Sequence, residues 1–242
     1  MDSLAERLES VRDRVERACA RAGRGPDEVR IVAVSKTHGP DAVRAAAESG
    51  LRVFGENKVQ EAKAKIPMCP GSLSWHMVGH LQTNKVKDAV RLFDMIHSVD
   101  SLKLLCAIES AAESFGRSVP VLLEVNVSGE SSKFGLAPEE VPGVLEAANG
   151  LKRVEVAGLM TMPPFTPEPE GARPHFRRLR ELRDGWRASS GFALAELSMG
   201  MSRDFEIAVE EGATWLRLGT VLFGPRVRPG AARPEPGIGE GP

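Results

Sequence analysis

The stretch IVAVSKTHG, residues 31–39, places a short apolar run directly before a lysine. The run is apolar at successive positions rather than at alternate ones, which is typical of a strand in a parallel sheet covered on both faces. Lysine is rarely buried unless another group pairs with it. Lys36 therefore has two interpretations: it marks the point where the strand meets water, or it supplies an amine for chemistry.

Seven further apolar runs follow along the chain, and segments with helical spacing separate them. Several of these segments have a proline near the start and a glycine at the end, as with Pro138 and Gly150. The alternation therefore predicts strands and helices in turn. The eight predicted strands are IVAVS, LRVF, SWHMVG, MIHSV, VPVLLEVNV, VEVAGLM, ALAELS and TWLRLG.

Eight such units in a chain of 242 residues predict an α/β protein with a single (β/α)8 TIM-type barrel. Apolar residues at helical spacing near the start, from Leu4 to Val15, predict an extra N-terminal helix beside the eighth strand. An open doubly wound sheet is the alternative, but no G-x-G-x-x-G follows the first strand. We expect the barrel to span residues 1–226, and the Pro- and Gly-rich residues 227–242 to form a disordered tail.

Composition excludes several classes of function. The formal net charge of -1 gives no general attraction to nucleic acid or to an anionic membrane. The three cysteines form no C-x-x-C pair, and no segment is typical of a signal peptide or a membrane span. His76 and His80 have an H-x-x-x-H spacing, but they lie in a strand and a loop, so no metal site is expected. We therefore expect a cytoplasmic protein. We also expect a monomer, which composition does not by itself establish.

Polar and glycine residues are concentrated where the predicted strands end, which is where chemistry occurs in such barrels. The motif SMGMS, residues 198–202, follows the seventh strand and opens a helix, and Gly219 and Thr220 follow the eighth. Barrels commonly bind phosphate with these two loops. Ser198 could donate its hydroxyl, and Gly200 would let the backbone approach an anion. The alternative is that both segments are ordinary glycine turns.

An amine and a phosphate site on one rim fit an aldehyde cofactor that forms a Schiff base, and pyridoxal phosphate has both groups. Such a cofactor also needs a partner for its ring nitrogen, commonly an acid or an arginine. Arg217 lies two residues before Gly219 and could serve. Considered singly, Arg217 could instead form a structural ion pair, and Lys36 could be a solvated strand end.

The chain resembles the pyridoxal phosphate homeostasis proteins. The resemblance rests on motifs that run from about residue 31 to 226. These are AVSKT, FGENKVQEAKAK, WHMVGHLQTNK, HSVDS, VNVSGESSKFGL, GLMTMPP, ARPHFRRLRELRD, LSMGMSRDFEIAVEEGAT and RLGTVLFGPR.

The resemblance implies a barrel like the N-terminal domain of alanine racemase, with pyridoxal phosphate held on Lys36 as a Schiff base. It also implies that Arg217 faces the pyridine nitrogen and that Asn57 lies near the cofactor. The residues implied to hold the phosphate are Ser198, Met201, Gly219 and Thr220. The implied function is intracellular vitamin B6 homeostasis.

Two classes of function remain: a carrier or buffer of pyridoxal phosphate that catalyses no reaction, or an amino-acid racemase or decarboxylase on the same barrel. A two-base racemase needs a second base on the opposite face of its substrate. In the racemases that base is a tyrosine from a second domain, and this chain contains 0 tyrosines. We therefore expect a carrier, with apo-enzymes that depend on pyridoxal phosphate as recipients. His80 is the conceivable substitute base.

Overall fold

Eight parallel strands form a closed barrel in the computed structural model, which describes residues 3–130 and 133–225. Each strand pairs with the next along the chain, and the eighth pairs with the first, with Val32 opposite Arg217. The predicted barrel is confirmed and the doubly wound alternative is wrong. The strands are β1 (Arg30–Val34), β2 (Val53–Glu56), β3 (Ser74–Met77), β4 (Met95–Val99), β5 (Val119–Glu124), β6 (Val154–Met160), β7 (Glu196–Ser198) and β8 (Trp215–Leu218).

Helices cover the outside of the barrel between successive strands, as the alternation predicted. The helices are α1 (Leu4–Arg21), α2 (Pro40–Glu48), α3 (Val59–Lys65), α4 (Val86–Leu92), α5 (Leu102–Ser114), α6 (Val141–Ala148), α7 (Arg173–Ser190), α8 (Phe205–Glu210) and α9 (Thr220–Phe223). Within the described ranges, no helix is both long enough and apolar enough to cross a membrane. The tail predicted for residues 227–242 lies outside the described residues.

The extra helix α1 is present and packs against α8, α9 and α2, beside the eighth strand as predicted. It begins with a capping box in which Ser3 N donates to Glu6 Oε2 and Glu6 N donates to Ser3 Oγ. Arg7 Nε donates to the Leu222 carbonyl at 2.6 Å, and Arg14 pairs with Glu206 at 2.7 Å. These contacts join the first helix to the end of the barrel.

The barrel strands alternate between an inner and an outer face. Ala33 belongs to the apolar layer beneath the helices, whereas Val32 and Val34 belong to a smaller cluster inside the barrel. Side chains along a strand point to opposite faces in turn, and Lys36 lies two residues beyond Val34, where β1 ends. This lysine therefore follows the carboxyl end of the first strand, at the barrel mouth. The inner cluster comprises Val32, Val34, Val78, Met95, Leu122, Met160 and Trp215.

Gly158 lies where β6 approaches β7 too closely for any side chain. A Cβ atom at this position would stand 1.9 Å from the Glu196 carbonyl oxygen, and backbone cannot move aside as a flexible side chain can. We expect Gly158→Ala to lower the free energy of unfolding by about 3 kcal/mol, the upper end of the usual cost of overpacking. Urea denaturation measures the difference.

The matched control is Gly143→Ala on the exposed surface of α6, where an added Cβ meets no atom within 4 Å. Because alanine favours a helix interior over glycine by about 0.5–1 kcal/mol, this variant should be as stable as the parent or more so. A Gly158→Ala protein as stable as the Gly143→Ala protein would contradict the close approach of the two strands.

Candidate functional site

A cavity of about 310 Å³ opens at the barrel mouth, where the carboxyl ends of the strands meet. One wall consists of residues 162–166 and Pro169, between β6 and α7, and another of residues 201–204, between β7 and α8. The cavity brings together six of the seven residues that sequence reasoning placed at the cofactor: Lys36, Asn57, Met201, Arg217, Gly219 and Thr220. Ser198, the seventh, is fully buried and does not line the cavity.

The backbone on both sides of Lys36 is held by a set of buried hydrogen bonds. Lys65 Nζ, 5% exposed, donates to the Ser35 carbonyl at 2.9 Å and pairs with Glu56 Oε1 at 2.6 Å. Ser35 Oγ donates to the same Glu56 oxygen at 2.6 Å. Thr37 N donates to Glu61 Oε1 at 2.6 Å. We call Ser35, Glu56, Glu61 and Lys65 the β1-exit network.

Thr37 has φ of 69°, in the left-handed region that a β-branched residue rarely adopts. Such strain persists only where surrounding contacts impose it, and Glu61 supplies one such contact. The β1-exit network therefore sets the position from which the Lys36 side chain reaches the cavity. Burial raises the pKa of Glu56, against the opposing effects of Lys65 and Ser35.

Arg217 is a buried cation that reaches the cavity from β8. Its Nη1 donates to Ser198 Oγ at 2.7 Å and its Nη2 to the Thr161 carbonyl at 2.9 Å. Burial lowers the pKa of Arg217 to about 10, although Glu124 and Asp204 oppose the shift. Within the described part of the chain Arg217 forms no ion pair, so its positive charge is available to a ligand in the cavity.

Two backbone N–H groups converge on one point at another wall of the cavity. Gly219 N and Val221 N donate to Ser202 Oγ at 3.3 and 3.2 Å. Backbone N–H groups that converge on one acceptor can bind a phosphate oxygen, and in this structure Ser202 Oγ accepts both hydrogen bonds. Sequence reasoning considered the backbone N–H groups of residues 200–202 but did not single out the Ser202 hydroxyl, for which the final serine of SMGMS was the available signal.

The loop before α8 is shaped by Asp204 and Gly200. Asp204 Oδ1 accepts a hydrogen bond from Met201 N at 2.6 Å, so the N–H of Met201 is engaged within the loop. Gly200 has φ of +91°, and a Cβ there would stand 2.5 Å from Ala208 Cβ. Gly200 is therefore required by the packing of α8, and its predicted approach to an anion stays a prediction.

Glu124 is a buried carboxyl at the end of β5. Burial raises its pKa to about 7, Arg217 opposes the shift and Asp100 adds to it. Because the folded protein then holds this proton more tightly than the unfolded chain, stability is highest below about pH 4.5 and falls as pH rises to about 7. Glu124→Gln removes the effect, so we expect a gain of up to about 3 kcal/mol at pH 8 and almost none at pH 4.5. Urea denaturation across this pH range measures it.

Glu155 is an exposed glutamate on β6, and Glu155→Gln is the matched control. It should leave the pH profile of the parent unchanged. A constant difference between Glu124→Gln and the parent from pH 4.5 to 8 would contradict the raised pKa of Glu124.

His76 and His80, which sequence reasoning considered as a possible metal pair, contact different residues in the structure. His80 Nδ1 is 3.0 Å from Asp100 Oδ2, and the His80 ring stacks on Phe134 with centroids 3.8 Å apart. His76 is buried, with Nδ1 at 3.0 Å from His97 Nε2. Among the described residues, no group of three or more His, Cys, Asp or Glu side chains is placed to bind a metal.

The fold and the mouth cavity define a barrel of the alanine racemase N-terminal domain class, and the family model "Alanine racemase, N-terminal domain" matches residues 7–227. A pyridoxal phosphate homeostasis protein of Aquifex aeolicus is 46% identical over 93% of this chain and 99% of its own length. One from Pseudomonas aeruginosa is 43% identical over 93% and 97%. The structure of Synechococcus elongatus PipY with PLP bound has a TM-score of 0.80 and 38% identity, covering 92% of this chain and 100% of that one.

The chain belongs to the pyridoxal phosphate homeostasis protein family. The resemblance found in the sequence motifs is thereby confirmed.

Proposed function

We propose that this protein binds pyridoxal phosphate in the mouth cavity and acts in vitamin B6 homeostasis. One observation carries the proposal: a single cavity is lined by a primary amine, an arginine without an ion pair among the described residues, and a wall with convergent backbone N–H groups. The names of the relatives and the ligand of PipY support it.

The lining residues fit the three chemical features of this cofactor. The phosphate would lie against Gly219, Thr220 and Ser202, because backbone N–H groups and hydroxyls are suited to an anion. Arg217 would face the ring nitrogen and keep it unprotonated, since a nearby cation disfavours a second positive charge. Asn57 also lines the cavity. Met201 lines the same cavity, and its predicted phosphate contact stays a prediction, as does that of Ser198.

Bound pyridoxal phosphate supplies an aldehyde that condenses reversibly with a primary amine. Of the nine lysines in the chain, Lys36 lines the cavity and would hold the cofactor through its Nζ as a Schiff base. The β1-exit network would hold the Lys36 backbone at the required position, and the largely apolar loop at residues 162–166 would limit access of water.

We further propose that the protein is a carrier or buffer that catalyses no reaction, and that recipient apo-enzymes take the cofactor from it. The chain has no tyrosine to serve as a second base. His80 is bonded to Asp100 and stacked on Phe134, and it is absent from the cavity lining. The cytoplasmic location fits the three cysteines, which are unpaired. The monomeric state stays a prediction.

Spectroscopic titration tests the binding. Purified protein titrated with pyridoxal phosphate should saturate at one equivalent, and borohydride reduction followed by peptide mapping should place the label on Lys36. Titration that never saturates, or a label spread over surface lysines, would overturn the proposal. Conversion of L-alanine to D-alanine at ordinary enzymatic rates would overturn the assignment as a carrier.

A transfer experiment separates delivery from buffering. Loaded protein is mixed with an apo-enzyme that requires pyridoxal phosphate, and the rate of its activation is compared with the dissociation rate measured by dilution. Activation faster than dissociation supports direct delivery. Equal rates support a buffer and exclude delivery by contact.

A further inference from the structure

A chain of four buried polar side chains crosses the barrel interior and ends on Arg217. His76 Nδ1 on β3 lies 3.0 Å from His97 Nε2 on β4, and His97 Nδ1 lies 2.8 Å from Ser198 Oγ on β7. Ser198 Oγ accepts the hydrogen bond from Arg217 Nη1 at 2.7 Å. All four are at most 4% exposed. We call His76, His97 and Ser198 the interior relay.

The direction of donation along the interior relay follows from its arginine end. A guanidinium only donates, so Ser198 Oγ is an acceptor from Arg217. If His97 Nδ1 donated to the same oxygen, the Ser198 hydroxyl proton would have no acceptor among the contacts of the described residues. Buried polar groups are almost always hydrogen-bonded. Ser198 Oγ therefore donates to His97 Nδ1, and His97 carries its proton on Nε2.

The same reasoning continues to the far end. His97 Nε2–H donates to His76 Nδ1, so His76 also carries its proton on Nε2. Both rings are neutral, because burial lowers the pKa of His76 to about 4 and that of His97 well below its ordinary value. Arg217 is thus held by neutral groups, and no carboxylate in the described residues forms an ion pair with it.

We propose that the interior relay positions Arg217 and preserves its full positive charge toward the cavity, and that Ser198 serves this arginine rather than the ligand phosphate. A carboxylate in place of Ser198 would neutralise the guanidinium and draw it away from the cavity. The neutral relay fixes its orientation without that effect. The inference rests on the proposed function, because the group that Arg217 faces is the ring nitrogen of the bound cofactor.

Nitrogen-15 NMR of the protein without ligand tests the direction of donation. At pH 7 the two histidine rings should each show a protonated Nε2 and an unprotonated Nδ1. An Nδ1–H tautomer or a charged imidazolium at His97 would overturn the relay. The NMR result does not depend on any ligand. Failure of the parent protein to bind pyridoxal phosphate is a separate result, and it would overturn the proposed function.

Binding of pyridoxal phosphate and of pyridoxal, which lacks the phosphate, distinguishes the two roles of Ser198. Because both ligands share the ring nitrogen, Ser198→Ala should weaken both by the same factor, about tenfold. Loss confined to pyridoxal phosphate would make Ser198 a phosphate ligand and overturn the proposal. The matched control is Ser98→Ala, which removes an equally buried β4 hydroxyl bonded to the Gly79 carbonyl. It should change both affinities by less than about threefold.

Substitution of His97 tests whether hydrogen bonding, and not bulk, is what the relay provides. The amide side chain introduced by His97→Gln offers an oxygen to accept from Ser198 and an N–H to donate to His76. The leucine side chain of His97→Leu fills a similar space but has no hydrogen-bond acceptor for Ser198 and no donor for His76. We expect His97→Gln to retain most of the affinity for pyridoxal and His97→Leu to lose about tenfold. Equal affinities in the two folded variants would overturn the relay.

Discussion

Lys36→Ala is expected to abolish the adduct that borohydride reduction fixes between the protein and pyridoxal phosphate. Lys36 is the lysine that lines the mouth cavity, and it lies two residues beyond the end of β1. Alanine offers no nucleophile, so the loss should be complete rather than partial. Intact-protein mass measured after reduction gives the result. Weak binding without a covalent bond should remain, because Arg217 and the Gly219 wall are unchanged.

Two further variants serve as controls. One tests whether the adduct needs the amine of Lys36 or only its positive charge, and the other tests whether an exposed lysine is labelled non-specifically. Lys36→Arg keeps a positive charge, but a guanidinium remains protonated and forms no Schiff base, so it should behave as Lys36→Ala does. Lys58→Ala removes an exposed lysine one residue from Asn57 and should label as the parent does. An adduct of undiminished stoichiometry in Lys36→Ala would refute the site.

Lys65→Met is expected to lower the free energy of unfolding by about 3–5 kcal/mol. Lys65 is the cation of the β1-exit network, and Glu56, its partner at 2.6 Å, is fully buried. Removing one member of a buried ion pair leaves the other charge without compensation. Without Lys65, Glu56 Oε1 keeps the hydrogen bond from Ser35 Oγ but loses its cation, and among the described residues Glu56 Oε2 has no hydrogen-bond partner. Urea denaturation at pH 8 measures the loss.

Two comparisons test this explanation. The double variant Lys65→Met with Glu56→Gln has no buried charge left, and it should recover at least half of the lost stability. Lys63→Met changes an exposed lysine on the same helix, paired with Asp88 at 3.1 Å, and should cost less than about 1 kcal/mol. Equal losses for Lys63→Met and Lys65→Met would show that burial of the pair contributes nothing.

The sequence predicted the barrel because its strands are continuous apolar runs, and each of the eight predicted runs overlaps a strand. The least accurate was LRVF, predicted at residues 51–54, since β2 runs from Val53 to Glu56. The predicted strand stopped at Phe54 because Gly55 interrupts the apolar residues in the sequence. In the fold it is a strand residue, where a Cβ would stand 2.8 Å from Val32 Cγ1, so the glycine reflects close packing inside the barrel.

The site was predictable where it depends on strand ends and glycine loops, which gave Lys36, Arg217, Gly219 and Thr220. The β1-exit network was not predicted, because a lysine on an amphipathic helix normally faces water and only tertiary packing buries Lys65. The interior relay was not predicted either. His76 and His97 lie on neighbouring strands and both point into the barrel, and this pairing depends on a register that sequence spacing does not supply.

The contacts of α1 with α8 and α9 determine when, during synthesis, the protein can become functional. Arg7 and Leu222 are 215 residues apart, and Arg14 and Glu206 are 192 apart, yet each pair is in contact. Contacts between residues so distant in sequence form late and slow the folding of a chain. During synthesis, β1 remains without its β8 partner until residues 215–218 have been made. A nascent chain therefore presents Lys36 long before Arg217 exists, and the mouth cavity that both residues line is completed only when β8 joins β1.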